Sequence, residues 1–561
     1  MTPRRIVVAL AAMTLASVRP GAAQRHEGFT RADTLRGSLV APERTWWDVT
    51  FYDLDVAISP ADSSLRGMNR ITYRVVGAPR ELQLDLQAPL LVDSALQDGR
   101  RVPVRRDGNA WFVKVPARVK PGEHRTLAVH YHGRPQPARR PPWDGGVSWN
   151  SDSLGRPWVV TTDQGLGASV WWPNKDTQAD EPDSQRVAVT VPRGLTNVSN
   201  GRLESRREHP DGRVTWRWLV RSPINNYAIA VNAGHYVHWS ETFRGERGPL
   251  SLDFWALDYH EAVARRQWKE VHTTLACFEK WFGPYPWYED GYKLIEVPYN
   301  GMEHQSAVTY GNGFSPGYRG RDLSGTGLGM TWDFIIVHET AHEWWGNNIT
   351  TADLADMWVH EGFGAYAESI YTECLHGTMA GAQYAIGVRA NIRNDRPIVP
   401  GAYGVNAQGS GDMYPRGAAM LHTIRQVVND DERWRGILRG LNEEFRHRIV
   451  TGAEVQTSLG RRAGLDLSRV FAQYLTTTRV PAFEYRIEGG TLAYRWADAV
   501  PGFDMPIDVA LADTGWQRLR PTTSWQSVPL SRTEPVLFRV KPDYYVVPRR
   551  VRDAAGNPAT P

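Results

Sequence analysis

Residues 332–363 read WDFIIVHETAHEWWGNNITTADLADMWVHEGF, and the rest of the chain can be interpreted around this stretch. His338 and His342 are four residues apart, so on a helix both imidazoles project from one face and can bind the same cation. Glu361 follows His342 after 18 intervening residues and is the natural third ligand. Three protein ligands with an open fourth position are typical of a catalytic zinc site. Glu339, between the two histidines, is placed to act as general base on a water molecule activated by the metal.

The residues around this pattern support a metal site. An HExxH pattern alone is expected by chance in roughly a few per cent of chains of this length, so its context matters. Residues 334–337 are apolar, as expected of a buried helix. In the compact zinc motif HExxHxxGxxH the chain would need Gly and His where it has Trp345 and Asn348. A spacer one residue longer would end at Gly362, which has no ligand atom.

Composition limits the kind of protein that carries this site. At 561 residues the chain is too long for one core, and two to four domains are expected. The 65 basic and 61 acidic residues nearly cancel, which gives no case for nucleic acid or an anionic membrane as a partner. Cys277 and Cys374 lie in no CxxC or Cys/His cluster. Buried free thiols are therefore expected, with a disulfide as the alternative.

The first 23 residues have the pattern of a secretory signal peptide. Arg4 and Arg5 are followed by a short apolar run and by the small residues Gly21-Ala22-Ala23. The run is too short to span a bilayer, and no later stretch is long and apolar enough for a membrane helix. We therefore expect a secreted or periplasmic protein that begins near Gln24 and has no integral membrane segment after signal removal.

The sequence predicts a multidomain α+β protein. Residues 24–250 show short runs with period-two alternation, such as 48–58, which predict an N-terminal antiparallel β-sandwich. Residues 251–479 change to helical spacing, with helices expected at about 259–282, 330–348, 361–376, 416–428, 430–445 and 467–476. Residues 480–561 return to alternation and predict a small C-terminal β domain and tail. The Pro- and Gly-rich residues 133–150 predict a long surface loop.

At this point the sequence resembles the M1 (gluzincin) aminopeptidases, whose signature is HExxH, eighteen residues and Glu. Tyr414-Pro415-Arg416-Gly417 is similar to the family's Tyr-x-Lys/Arg-Gly segment, and Gln164 with Asp180-Glu181-Pro182 resembles a segment of its N-terminal domain. Gly301-Met302-Glu303-His304 resembles the exopeptidase motif Gly-x-Met-Glu-Asn. In this chain Asn300 stands where the first Gly is usual, and His304 replaces Asn.

The resemblance implies a thermolysin-like catalytic domain, a short form without the large helical C-terminal domain of many members, and one Zn²⁺ per chain. It implies that Tyr414 donates to the oxyanion that forms on the substrate. A free α-amine has to be held at a fixed distance from the metal, and a carboxylate does this best. Glu303 is the candidate, with Gln164 as a neutral acceptor beside it and with the backbone of Gly301 and Met302 along the substrate.

Two further acids lie close to the motif in sequence. Glu368 comes seven residues after Glu361 and shares its helix face, so it could orient a metal-binding histidine or form an ordinary salt bridge. Glu343 adjoins His342 but points about 100° away on a helix, and the sequence assigns it no role.

The leading hypothesis is a zinc metallopeptidase that removes N-terminal residues from peptides. One alternative is a zinc hydrolase of the same fold that acts on an epoxide or another lipid-like substrate, and an endopeptidase is a variant. A non-catalytic binding protein is disfavoured because the three ligands, the base and the tyrosine occur together. The sequence gives no indication of oligomeric state.

Overall fold

The computed structural model describes residues 30, 35, 41–116, 119–511, 515–530 and 538–552. The predicted signal peptide, residues 1–23, lies outside these ranges. None of the helices in the described ranges is long and apolar enough to cross a membrane.

The N-terminal region is built on an eight-stranded sheet that packs with a four-stranded and a three-stranded sheet around one hydrophobic core. The strand Trp47–Ser59 has the alternating burial that the sequence predicts, interrupted by a bulge near Val49. Its pairing with Ser184–Pro192 is parallel, whereas the other pairs of this sheet are antiparallel. The strands of the region are Trp47–Ser59, Ser64–Val75, Leu82–Asp85, Leu91–Gln97, Arg100–Val102, Val104–Asp107, Ala110–Val113, His124–Gly133, Gly146–Ser151, Pro157–Thr162, Ser184–Pro192, Thr196–Val198, Arg202–Glu208, Arg213–Val220 and Asn232–Gly234.

A five-stranded sheet connects this region to the helices. Trp239 and Phe243, which precede the boundary predicted at residue 250, are buried in the same hydrophobic core as the helices that follow. The last strand in the sheet, Gly301–Met302, is an edge strand. It therefore has backbone groups free to pair with another extended chain. The strands, in spatial order, are Tyr236–Gly245, Gly248–Leu257, Tyr292–Glu296, Val308–Tyr310 and Gly301–Met302.

The helices follow the predicted order but differ in their bounds. The helix predicted over 259–282 is divided at Trp268 into two helices. The helix with the two histidines is shorter than predicted, because Asp333 caps its start and the chain turns at Gly346, whose φ is 130°. The helices after the first sheets are Glu261–Gln267, Glu270–Phe282, Phe334–Ala341, Trp358–His376, Thr378–Gly387, Pro415–Val428, Asp431–Glu444, Gly452–Ala463 and Ser468–Thr476, with a helical turn at Pro42–Thr45 near the start.

Two short strands, Ile349–Thr351 and Arg448–Val450, pair with each other among the helices. The C-terminal region then forms a four-stranded and a three-stranded sheet. The predicted order of an N-terminal β-rich region, a helical catalytic region and C-terminal strands is thus confirmed. The C-terminal strands are Ala482–Glu488, Thr491–Ala497, Ile507–Leu511, Gln517–Leu519, Gln526–Pro529, Phe538–Val540 and Val547–Arg550.

The two cysteines form a disulfide, so the expectation of free thiols is wrong. Cys277 and Cys374 are 97 residues apart in sequence and are brought together by the packing of the helices Glu270–Phe282 and Trp358–His376. No local pattern reveals this pairing, because it depends on how two distant helices cross.

Candidate metal centre and substrate cleft

The three predicted ligands form a small buried triangle. The Nε2 atoms of His338 and His342 are 3.3 Å apart, and Glu361 Oε2 lies 3.3 Å from His342 Nε2 and 3.7 Å from His338 Nε2. Zinc–nitrogen bonds of about 2.0–2.1 Å in a tetrahedral site place neighbouring ligand atoms about 3.3 Å apart. The donor triangle therefore has the size that a zinc ion requires.

The hydrogen bonds of the two histidines leave the correct nitrogen atoms free. His342 Nδ1 lies 2.9 Å from the backbone oxygen of Trp345, which can only accept, so Nδ1 carries the proton and Nε2 keeps its lone pair. His338 Nδ1 lies 2.9 Å from Glu368 Oε1. Glu361 Oε2 is buried and has no hydrogen-bond donor among the described residues. An orphaned carboxylate oxygen facing two imidazole lone pairs fits a bound cation.

Local sequence explains why the helices meet at this point. Asp333 accepts hydrogen bonds from the N–H groups of Ile335 and Ile336, which fixes the start of the metal-site helix Phe334–Ala341. A side chain at Gly417 would begin 2.9 Å from the Cα of Gly362. Because both positions are glycines, the helix Pro415–Val428 can lie directly against the helix that carries Glu361.

This close packing places Tyr414 beside the metal ligands. Its ring packs on the His338 ring, with centroids 6.0 Å apart. Burial raises the pKa of Tyr414 well above its usual value, and the Glu361 and Glu303 carboxylates raise it further. The hydroxyl therefore keeps its proton and remains a hydrogen-bond donor.

Glu339 is buried next to the triangle, as a general base has to be. Burial raises the pKa of its carboxyl to about 7. A side chain at Gly301 would begin 3.0 Å from Glu339 Oε1 and 2.6 Å from Ile335 Cγ2. Only glycine allows the edge strand to approach the base this closely.

The predicted amine anchor is joined to the metal site by one side chain. Gln164 Nε2 donates to Glu303 Oε1 at 2.6 Å and to Glu361 Oε1 at 2.9 Å. Gln164 comes from the N-terminal region, whereas Glu303 follows the edge strand Gly301–Met302. Burial alone would raise the pKa of Glu361, but His342 and His338 lower it well below its usual range. Both carboxylates thus lie within reach of a single amide.

The residues of the site line one cavity of about 260 Å³. Its walls are mainly apolar, and it contains no Lys or Arg side chain among the residues that line it. All nine predicted catalytic, substrate-binding and ligand residues are in its lining: Gln164, Gly301, Met302, Glu303, His338, Glu339, His342, Glu361 and Tyr414.

Two departures from the exopeptidase motif have different structural outcomes. His304 is fully buried and does not line the cavity, and neither ring nitrogen has a partner among the described residues. Burial lowers its pKa to about 3, so it is a neutral packing residue. Asn300 lines the cavity and donates to the hydroxyl of Tyr318.

The sequence missed three side chains around the site. Glu343, to which it assigned no role, is fully buried and accepts the N–H of Ser306 at 2.9 Å, which ties the metal-site segment to the Glu303 loop. Tyr318 and Trp143 also line the cavity. The position of Glu343 directly before two tryptophans was the one sequence feature that indicated its burial. Tyr318 and Trp143 lie in loops, where no periodic pattern predicts which side chains face a cavity.

Comparison with known proteins agrees with this geometry. Residues 268–474 match the model of the peptidase family M1 domain. This part of the chain is a peptidase family M1 domain. The M1 domain thus covers the metal triangle, Glu339, Glu303 and Tyr414, whereas Gln164 lies before it.

Curated relatives include aminopeptidase B. The rat protein (Rattus norvegicus) is 26% identical over 325 residues, which are 54% of this chain and 46% of the relative. The human protein (Homo sapiens) is 25% identical over 368 residues, or 62% and 52% of the two chains. The chain spans about half the length of the curated relatives it matches.

Solved structures share the fold over most of the chain. The crystal structure of an M1 zinc metallopeptidase from Deinococcus radiodurans matches with a TM-score of 0.67 and 22% identity, over 80% of this chain and 98% of that one. A mutant of a two-domain M1 zinc metallopeptidase bound to L-tryptophan matches with a TM-score of 0.66 and 23% identity, over 78% and 95%. At this identity the likeness shows the fold alone.

Proposed function

We propose that this protein is a zinc aminopeptidase that hydrolyses the first peptide bond of peptides with a free N-terminus. The observation that carries the proposal is the pair of hydrogen bonds from Gln164 to Glu303 and Glu361. They place a buried carboxylate suited to an α-amine at a fixed distance from the metal triangle. The aminopeptidase B relatives and the M1 domain support the same activity.

His338, His342 and Glu361 would hold one zinc ion per chain. When bound, zinc would polarise the scissile carbonyl and help to activate the attacking water as a Lewis acid. The size of the donor triangle and the orphaned oxygen of Glu361 support this assignment.

The chain's own residues then have separate tasks. Glu339 takes a proton from the attacking water and delivers it to the leaving amine. Tyr414 donates its O–H to the oxyanion that forms on the carbonyl. Glu303 binds the α-ammonium group, and the Oε1 atom of Gln164 can accept one of its N–H bonds, since Nε2 already donates to the two carboxylates.

The test combines metal removal with one substitution. Leucinamide and aminoacyl naphthylamides should be hydrolysed, a chelator should abolish hydrolysis, and zinc should restore it. Glu339→Gln should keep its zinc, measured by metal analysis, and lose several orders of magnitude in kcat. Glu443→Gln, a change of an exposed acid elsewhere, is the matched control and should keep wild-type turnover. Near-normal kcat in Glu339→Gln would contradict the mechanism.

We also propose that the protein is exported to the periplasm or the medium. The disulfide between Cys277 and Cys374 supports this, because disulfides persist mainly in oxidising compartments. The signal-like pattern of residues 1–23 supports it independently. Cell fractionation with N-terminal sequencing tests the proposal: the protein should be found outside the cytoplasm with an N-terminus near Gln24, and a cytoplasmic chain that keeps residues 1–23 would refute it.

A further inference from the structure

The pair of Asn300 and Tyr318 lies in the wall of the cleft. Asn300 Nδ2 donates to the hydroxyl oxygen of Tyr318, and both side chains line the cavity. The Tyr318 ring packs edge-on against Phe334, with centroids 5.2 Å apart. The Tyr318 hydroxyl accepts from Asn300, but its own proton has no acceptor among the described residues. A hydrogen-bond donor is therefore available at the cavity wall.

The loop that presents Tyr318 is fixed before any substrate binds. Asn312 Nδ2 lies 2.7 Å from Ser315 O, 2.8 Å from Gly317 O and 2.9 Å from Asp333 Oδ1. Asn312 Oδ1 accepts the N–H of Arg319 at 2.7 Å. Since Asp333 also caps the metal-site helix, the loop and the helix share one anchor. Tyr318 is thus held relative to Glu339 without help from a ligand.

The edge strand sets the distance between the amine anchor and this pair. Glu303 and Asn300 flank the two-residue strand Gly301–Met302 at opposite ends, and three residues of extended chain span about 10 Å. A peptide with its amine at Glu303 that runs antiparallel to this strand covers about 7 Å of this distance with its first two residues, and the side chains of Asn300 and Tyr318, which both line the cavity, cover the rest. Its second carbonyl then reaches Asn300 and Tyr318.

We propose that Tyr318 is a substrate-binding residue that donates its O–H to the carbonyl oxygen of the substrate's second residue, and that Asn300 is the positioning residue that orients this hydroxyl. The inference rests on the proposed aminopeptidase function. It implies that the site recognises true peptides over simple aminoacyl amides, which lack this carbonyl. Burial and the nearby Glu339 carboxylate raise the pKa of Tyr318, so its hydroxyl remains a donor.

The test compares trileucine with leucinamide in Tyr318→Phe. The ratio of kcat/KM for trileucine to kcat/KM for leucinamide should fall about tenfold, mainly through KM, because one hydrogen bond to the peptide is lost. Tyr259→Phe removes a hydroxyl that is remote from the cavity and should keep the wild-type ratio. Zinc content and circular dichroism should match the wild type in both variants.

The variant Asn300→Gly tests whether Asn300 acts by orienting the Tyr318 hydroxyl or by contacting the substrate itself. Alone it should lower the same ratio, and in the Tyr318→Phe background it should cause no further loss, because its effect passes through the hydroxyl. An unchanged ratio in Tyr318→Phe, or equal losses on both substrates, would overturn the inference while leaving the aminopeptidase function in place. A wild-type protein that hydrolyses neither substrate with zinc bound would refute the proposed function and this inference with it.

Discussion

At the scale of single residues, the proposed amine anchor is a buried carboxylate that lies outside the metal triangle. Glu303 is 2% exposed and has Gln164 as a donor on one oxygen. Glu303→Gln keeps the shape of the side chain but removes the charge that an α-ammonium group needs. We expect KM for leucinamide to rise by about tenfold or more, since a hydrogen bond to a charged group contributes about 1.5–3 kcal/mol.

The control for this variant uses peptides without a free amine. Slow cleavage of N-acetylated peptides, where it can be measured, should change much less in Glu303→Gln than hydrolysis of leucinamide. Equal losses on both kinds of substrate would remove the role assigned to Glu303.

The roles of residues could be predicted where a motif of fixed spacing in the sequence specifies them. His338, His342 and Glu339 share one helical turn, and Glu361 follows at a distance that a known motif specifies. The neighbouring tryptophans indicate that Glu343 is buried, but its contact with Ser306 could not be predicted, because Ser306 is 37 residues away in sequence. Tyr318 could not be predicted either, because its proposed role depends on a hydrogen bond from Asn300, which lies 18 residues earlier and directly before the strand Gly301–Met302.

At the scale of secondary-structure elements, the disulfide joins the helix Glu270–Phe282 to the helix Trp358–His376, which carries Glu361 and Glu368. Its sequence separation of 97 residues corresponds to about 4–5 kcal/mol of stabilisation in the chain-entropy treatment.

The double variant Cys277→Ser/Cys374→Ser should therefore have a lower Tm, by on the order of 10 °C. Reduction with dithiothreitol should lower the Tm of the wild type by a similar amount and leave the double variant unchanged. Equal Tm values for oxidised wild type and double variant would contradict this account.

A second element-level feature is the contact between the partly buried Glu270, at the start of the helix Glu270–Phe282, and the buried Asp333, which caps the metal-site helix. Glu270 accepts the N–H of Asp333 at 2.9 Å and the hydroxyl of Tyr371 at 3.1 Å. Burial raises the pKa of Glu270 to about 7 and that of Asp333 to about 6. The folded protein therefore holds protons that the unfolded chain releases above about pH 4. Stability should fall as the pH rises from about 4 towards 7.

Glu270→Gln tests the sign of this effect. The variant lacks the carboxyl that has to ionise in the folded state, so its Tm should fall less than that of the wild type between pH 5 and pH 8. The difference in unfolding free energy is expected to be about 2 kcal/mol, less than the full pKa shift gives because Glu270 is only partly buried. Glu261→Gln, on the exposed start of the preceding helix, is the control and should keep the wild-type pH dependence. A Glu270→Gln variant with the wild-type slope would refute the assignment.

The type and order of the helices and strands could be predicted from the sequence, but the residues at which they begin and end could not. Helical periodicity continues through Trp268, yet the structure breaks the helix there. The chain also leaves the metal-site helix after Ala341, although His342-Glu343-Trp344-Trp345 contains no Gly or Pro that would end it. In both places tertiary packing outweighs local propensity.

At the scale of the whole molecule, the cleft is assembled from two regions of the chain. Asn200 donates to Gln305 O at 2.6 Å, and the N–H of Gly201 donates to Ser306 Oγ at 2.9 Å. These bonds hold the loop after Glu303 from the N-terminal side, while Glu343 holds it from the metal-site segment. The sequence predicts that both regions exist, but alternation and helical period carry no information on how they meet.

Trp143 is an exposed aromatic side chain that the N-terminal region brings to this cleft. It is 66% exposed but lines the same cavity as Gln164. The N–H groups of Arg139 and Arg140 each donate to Asp144 Oδ2 at 2.7 Å, so the loop is held without burial of the tryptophan. A large aromatic ring kept exposed at a cleft gains contact area when an apolar substrate binds.

Trp143→Ala should therefore change recognition and not stability. The kcat/KM for trileucine relative to triglycine should fall about tenfold, because the apolar side chains lose their contact with the indole. The Tm should stay within about 1 °C of the wild type, as expected for an exposed position. Trp516→Ala, which removes a 46% exposed tryptophan directly before the strand Gln517–Leu519, is the matched control and should leave the ratio unchanged. A constant trileucine to triglycine ratio in Trp143→Ala would mean that the N-terminal region contributes Gln164 alone to substrate binding.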